Sequence, residues 1–156
     1  MKVSEIVRII GFSVLAAFVM FFVQPWIYEN KIIRISDVEL EPWISQNYTV
    51  GSGLVFAGSV IATILWYFMA ANAKVQGAGD VDRWRVLWWL CFLLPILSII
   101  VALAFFNQSS QALVSLTGFY IIDITLAFWL PTATSSPGLL MYLPPGAFLL
   151  RRRLGG

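Results

Sequence analysis

Apolar residues run in four long blocks, at about 9–27, 51–71, 86–106 and 112–130, and the polar residues gather between them. Each block has close to the twenty or so apolar residues that a helix needs to cross a hydrocarbon core about 30 Å thick. Within lipid every backbone donor and acceptor must be satisfied, which a helix does inside one segment. The shorter alternating stretches of a membrane β-barrel are absent. The pattern predicts an all-α integral membrane protein, with four transmembrane helices in one small bundle over residues 1–130. An apolar and basic tail follows at 131–156.

Composition agrees with this reading. Charged residues are 12% of the chain and hydrophobic ones 60%, whereas soluble domains carry about 25% charge. The cations sort by side. With the amino terminus in the cytoplasm, Lys2, Arg8, Lys74, Arg83, Arg85, Arg151, Arg152 and Arg153 fall inside, and only Lys31 and Arg34 fall outside. That asymmetry follows the positive-inside rule and predicts two cytoplasmic termini. The expected location is a bacterial inner (plasma) membrane or another energy-transducing membrane. Lys2 and Arg8 open the chain like a signal peptide, but the apolar run ends at Gln24-Pro25-Trp26 without a small-residue cleavage site, so a retained first helix is expected.

The tryptophans cluster near span ends: Trp26 and Trp43 on the outer side, and Trp66, Trp84, Trp88, Trp89 and Trp129 on the inner side. Indoles favour the headgroup level, so they read as interfacial anchors. Residues 28–50 read as the largest loop, with a short extended piece at Ile33–Ser36 and with Leu40, Trp43 and Ile44 dipping back to the interface. Pro95 is expected to kink span three and Pro131 to stop span four. The tail after Ser135-Ser136-Pro137-Gly138 is apolar, too short to span, and broken by Pro144-Pro145. It is expected to meet lipid or a partner protein through Tyr142, Arg151, Arg152 and Arg153, each cation worth about 1 kcal/mol at an anionic surface.

Candidate chemistry is sparse. The chain has no histidine, and its single cysteine, Cys91, lies inside span three. No nucleophile–base pair, metal-ligand spacing or phosphate-cradling glycine loop is present, so no catalytic residue, metal or cofactor is expected and the chain reads as a non-enzyme. The triple arginine fits lipid and topology, not nucleic acid. Small-xxx-small pairs permit close helix approach. Span two has the densest set, Gly53/Ala57 and Gly58/Ala62, and is the expected central helix.

Asp123 is the only charge inside the four blocks. A carboxylate at such depth costs about 2.5–3.5 kcal/mol on insertion scales. Leu116, Phe119, Tyr120, Ala127 and Leu130 share its helix face. Three outcomes stay open for it: protonation, hydrogen bonds from Tyr120 or across helices from Ser59, Thr63 or Ser98, or a cation or pigment-like ligand brought by another subunit. In outline the chain resembles the double-hairpin proteolipid of rotary ATPases, with four spans and an acid in the fourth. It departs from that pattern in span one, where Gly11 is the only glycine, and in the long 28–50 segment. Small multidrug-resistance transporters are similar in size, but their acid lies in the first span, which has none here. The leading expectation is a non-catalytic accessory or assembly subunit of a larger membrane complex, joined to other membrane subunits or to itself. The alternative is a small oligomeric transporter or channel with Asp123 as its ion- or proton-responsive group.

Overall fold

The computed structural model describes residues 3–73, 78–136, 140 and 142–147. Four helices there are long and apolar enough to cross a membrane: α1 (Val3–Glu29), α2 (Leu40–Ala71), α3 (Gly79–Phe106) and α4 (Leu113–Ser135). No strand occurs among the described residues. The lengths and composition are those of a membrane-embedded protein.

The helices reach beyond the apolar blocks because a helix end is set by capping and by proline or glycine, not by the first charge. The largest difference is in α2, which begins at Leu40 and not at Gly51. Much of the segment read as a loop is therefore helix, and Trp43, expected at the outer interface, is buried in it, as is Tyr48. α1 closes on a Schellman turn: the Ile32 N–H bonds Ile27 O at 3.1 Å and the Lys31 N–H bonds Tyr28 O at 2.9 Å. Lys31 holds the left-handed conformation that glycine usually takes there, at φ 56°.

Each of α1, α2 and α4 contains one wide π-turn: Val19–Val23, Ile44–Tyr48 and Thr125–Trp129. Two of them sit just ahead of a proline, Pro25 and Pro131. Proline has no N–H and its ring crowds the carbonyl one turn back, which a locally widened helix relieves. The helix therefore passes through Pro131, where the sequence predicts a stop, and ends at Ser135. α3 likewise continues through Pro95 to Phe106.

α2 and α3 pack closely where Gly58 meets Ser98: a Cβ on Gly58 would collide with Ser98 Oγ and stand 3.1 Å from its Cβ. α1 and α4 run antiparallel, with Arg8 Nη1 donating to Thr134 O at 3.0 Å. The described ends of the chain thus lie together at one end, called here the terminal end. The segment 30–39 and the α3–α4 hairpin form the loop end. There Asp37 ties the two connections, accepting from Ser109 Oγ (2.6 Å), Ser110 Oγ (3.1 Å) and the Gln111 N–H (3.2 Å). Those hydrogen bonds, the one from Ser109 foremost, hold the Asp37 carboxyl below its usual range.

Two apolar cores result. The loop-end core gathers Met20, Tyr28, Trp43, Tyr48, Val55, Leu116 and Tyr120. The terminal-end core gathers Ala62, Trp66, Trp88 and Phe128 with Leu140 and Leu143 of the tail. Part of the tail expected to seek lipid or a partner is thus folded against the chain itself, and Trp129 Nε1 donates to Pro145 O at 3.0 Å. Tyr142 is exposed. Arg151, Arg152 and Arg153 lie outside the described residues. Trp66 and Trp88, each 1% exposed, are core residues and not interfacial anchors. Their N–H groups find Ser136 Oγ at 2.8 Å and Thr132 Oγ1 at 3.2 Å. Trp26 and Trp89 are exposed, as anchors would be.

Candidate functional site

Asp123 lies near the middle of α4 and is 0% exposed. The face expected to accompany it turns inward, with Leu116, Tyr120 and Ala127 buried and Phe119 and Leu130 half-buried. Its hydrogen bond comes from α1: Gln24 Nε2 stands 2.7 Å from Asp123 Oδ1. Gln24 Oε1 in turn lies 2.6 Å from the Tyr48 hydroxyl of α2. That hydroxyl also stands 2.7 Å from Met20 O, a carbonyl inside the π-turn of α1. Three helices are therefore linked in series, as α4 carboxyl, α1 amide, α2 phenol and α1 backbone.

The link follows from local chemistry. Pro25 withholds one N–H from α1, so a carbonyl in the preceding turn needs a donor from elsewhere. The Tyr48 hydroxyl lies against Met20 O. The same device recurs ahead of Pro131, where Thr63 Oγ1 donates to Ala127 O at 2.8 Å. Around the link stand Ser52, buried beside the Tyr48 and Tyr120 hydroxyls, and Tyr28, whose hydroxyl meets Ser115 Oγ at 2.8 Å. A Cβ on Gly51 would reach within 2.7 Å of the Tyr120 hydroxyl, so glycine leaves room for that phenol. Asp123 Oδ2 and Ser52 Oγ are buried without a hydrogen-bond partner among the described residues.

The residues singled out from sequence are distributed unevenly. Tyr120 lies near Asp123, whereas Thr63 serves Ala127 and the other two hydroxyls bond back into their own helices, Ser59 to Val55 O (2.7 Å) and Ser98 to Leu94 O (3.0 Å). Gly58 and Ala62 are buried in helix contacts. Gly53 has open space about it, and Ala57 is exposed. Gln24 and Tyr48 are the members that sequence reasoning misses. Gln24 is the one strongly polar side chain in span one ahead of its proline, and that was the available signal.

The site holds one carboxyl, one amide and hydroxyls. No group of three or more histidine, cysteine or acidic residues fit to hold a metal ion occurs among the described residues. Comparison with protein-family models, characterised proteins and solved structures finds no match to this chain.

Proposed function

We propose that the chain is a non-catalytic, multi-pass membrane protein serving as an accessory or assembly subunit of a larger membrane complex. In this reading its four helices form a bundle with both termini cytoplasmic. The observation that carries it is the packing of α1. Between Val3 and Phe18 only Ala16 is buried, and an apolar crevice of about 470 Å³ separates this half of α1 from α2. Its walls include Ser13, Ala17, Phe56 and Val60. Helices associate in lipid through close packing, small residues and interhelical hydrogen bonds. A span so lightly packed on its own chain suits a neighbour from another one. Asp123, enclosed and bonded to Gln24, acts here as an internal clamp and not as a socket for a partner.

Purification in a gentle detergent tests this. A second membrane protein should co-purify in fixed proportion; elution of the chain alone as a monomer contradicts the reading.

A second reading has its own support in Asp123 Oδ2, which has no hydrogen-bond partner among the described residues. It is a small oligomeric transporter or channel in which Asp123 responds to an ion or a proton. Asp123→Asn keeps the shape and removes the charge. In liposomes it should abolish flux while the protein stays folded, and unchanged flux dismisses the reading.

A further inference from the structure

The hydrogen bonds around Tyr48 contain a conflict of donors. A phenol has one proton, yet the Tyr48 hydroxyl faces two acceptors, Gln24 Oε1 at 2.6 Å and Met20 O at 2.7 Å. While Gln24 spends an N–H on Asp123, its amide oxygen and the Met20 carbonyl compete for that proton. One of two buried acceptors then goes short, which is costly in an enclosed site. Asp123 meanwhile receives one hydrogen bond and is fully enclosed.

Turning the Gln24 amide over removes the conflict. Its oxygen and nitrogen have nearly the same shape, so the positions stay as they are. The amide oxygen now faces Asp123 and the amide nitrogen faces Tyr48. Gln24 donates to the phenol oxygen, Tyr48 donates to Met20 O, and no acceptor competes. This arrangement needs a donor at Asp123, and a carboxyl group becomes one only by holding a proton.

We infer that Asp123 is a proton-binding site whose occupancy reverses the Asp123–Gln24–Tyr48 hydrogen-bond chain and so controls the bond to the Met20 carbonyl. With the proton bound, the carboxyl O–H donates to Gln24, Gln24 to Tyr48 and Tyr48 to Met20 O. When the proton leaves, the carboxylate draws the Gln24 N–H to itself, and the Gln24 oxygen claims the Tyr48 proton. Met20 O then loses its donor, inside the π-turn that divides the well-packed half of α1 from its lightly packed half. Each step moves one proton between the carboxyl and solvent and makes or breaks hydrogen bonds only.

Among the described residues no other charge around the site supplies this balance. The groups facing it are Tyr28 from α1, Tyr48 from α2 and Tyr120 from its own helix, and α3 has no ionisable side chain between Phe92 and Phe106. The described cations Arg8, Lys31, Arg34, Arg83 and Arg85 stand at helix ends or in loops. The inference deepens the second reading above, of which it names the ligand, but does not require flux, since a proton can be bound without being carried across. Absence of flux in liposomes would dismiss transport and leave the bound proton untouched.

Infrared difference spectroscopy on the full chain in lipid nanodiscs, recorded across a pH series, tests it. The expected result is a carboxylic-acid C=O band that shifts on carbon-13 labelling of aspartate, disappears reversibly as pH rises, and is lost in Asp123→Asn. In Gln24→Leu the same band should move to higher frequency, because its hydrogen-bond acceptor is gone. Should Asp123→Asn fail to fold, Asp123→Glu provides the assignment by displacing the band. A carboxylate signal with no acid band at any pH where the protein is folded overturns the inference. So does an acid band indifferent to both the Asp123 and the Gln24 substitutions.

Discussion

The two cores of this protein bury polar groups in opposite ways. At the terminal end each enclosed indole has one N–H and one neutral acceptor, Trp66 with Ser136 and Trp88 with Thr132. Each hydroxyl passes its own proton to a backbone carbonyl, Ser136 to Thr132 O and Thr132 to Trp129 O, so donors and acceptors match along the way. Toward the loop end the enclosed group is a carboxyl with one donor, one bare oxygen and a phenol pulled two ways. Burying a neutral, matched pair is nearly cost-free, whereas a buried carboxyl is stable only while its charge state and its partners agree. The first core is suited to holding shape and the second to changing state.

Substitutions should separate the two. The largest effect is expected at Gln24→Leu, which takes the donor from an enclosed carboxyl and leaves Tyr48 without its amide partner. A loss of about 3 kcal/mol is expected, since stripping a buried ionisable group of its partner is among the costliest changes. Denaturant unfolding in mixed micelles measures it, and a loss no greater than that of Trp88→Phe would erase the contrast.

Gly58→Ala lies between the cores and tests helix approach where the polar bond it meets is a local one within α3, from Ser98 Oγ to Leu94 O. The new methyl collides with Ser98, and overpacking of this kind costs about 2 kcal/mol. Pairing it with Ser98→Ala should recover much of the loss, which a thermal melt reads directly.

Trp88→Phe removes one N–H and leaves the Thr132 hydroxyl without that donor, while its own bond to Trp129 O remains. About 1 kcal/mol is expected from the hydrogen bond, together with whatever packing the smaller ring forfeits. Stability of the native chain relative to this variant should not vary with pH, because nothing at the terminal-end pair titrates near neutrality.

The smallest effect belongs to Asp37, exposed in the loop-end latch. Its carboxyl is held below the ordinary 3.8 in the folded chain, chiefly by Ser109. Its contribution is therefore present above that value and is lost as pH falls through the lowered folded value. Asp37→Asn should lower stability slightly across the neutral range, leave the most acid range unchanged and so flatten the acid limb of the stability curve.

Much of the fold is legible in the sequence. The four apolar blocks each correspond to one long helix, and Asp123 stands out by charge alone. What escapes is set by contacts between distant segments. The start of α2 at Leu40 is hidden because Glu39, Glu41 and Asn47 read as loop, although polar residues at a helix end cost little where the chain leaves an apolar layer. Gln24 and Tyr48 are hidden for a related reason: Tyr48 reaches from another helix to a carbonyl opened by Pro25, and Gln24 gains its role only by bridging that phenol to Asp123. The tail misleads in the other direction. Its apolar residues look unplaced along the chain, yet Leu140 and Leu143 complete the terminal-end core.

The central claim is that Asp123 and Gln24 act as one unit inside this chain. A double-mutant cycle on Asp123→Leu and Gln24→Leu, read by reversible unfolding in mixed micelles, tests it most directly. The account predicts strong non-additivity: Gln24→Leu should cost much less once the carboxyl is gone, with a coupling of about 1–3 kcal/mol. Additive losses, within about 0.5 kcal/mol, would show that the two residues stabilise the protein independently and would contradict the clamp.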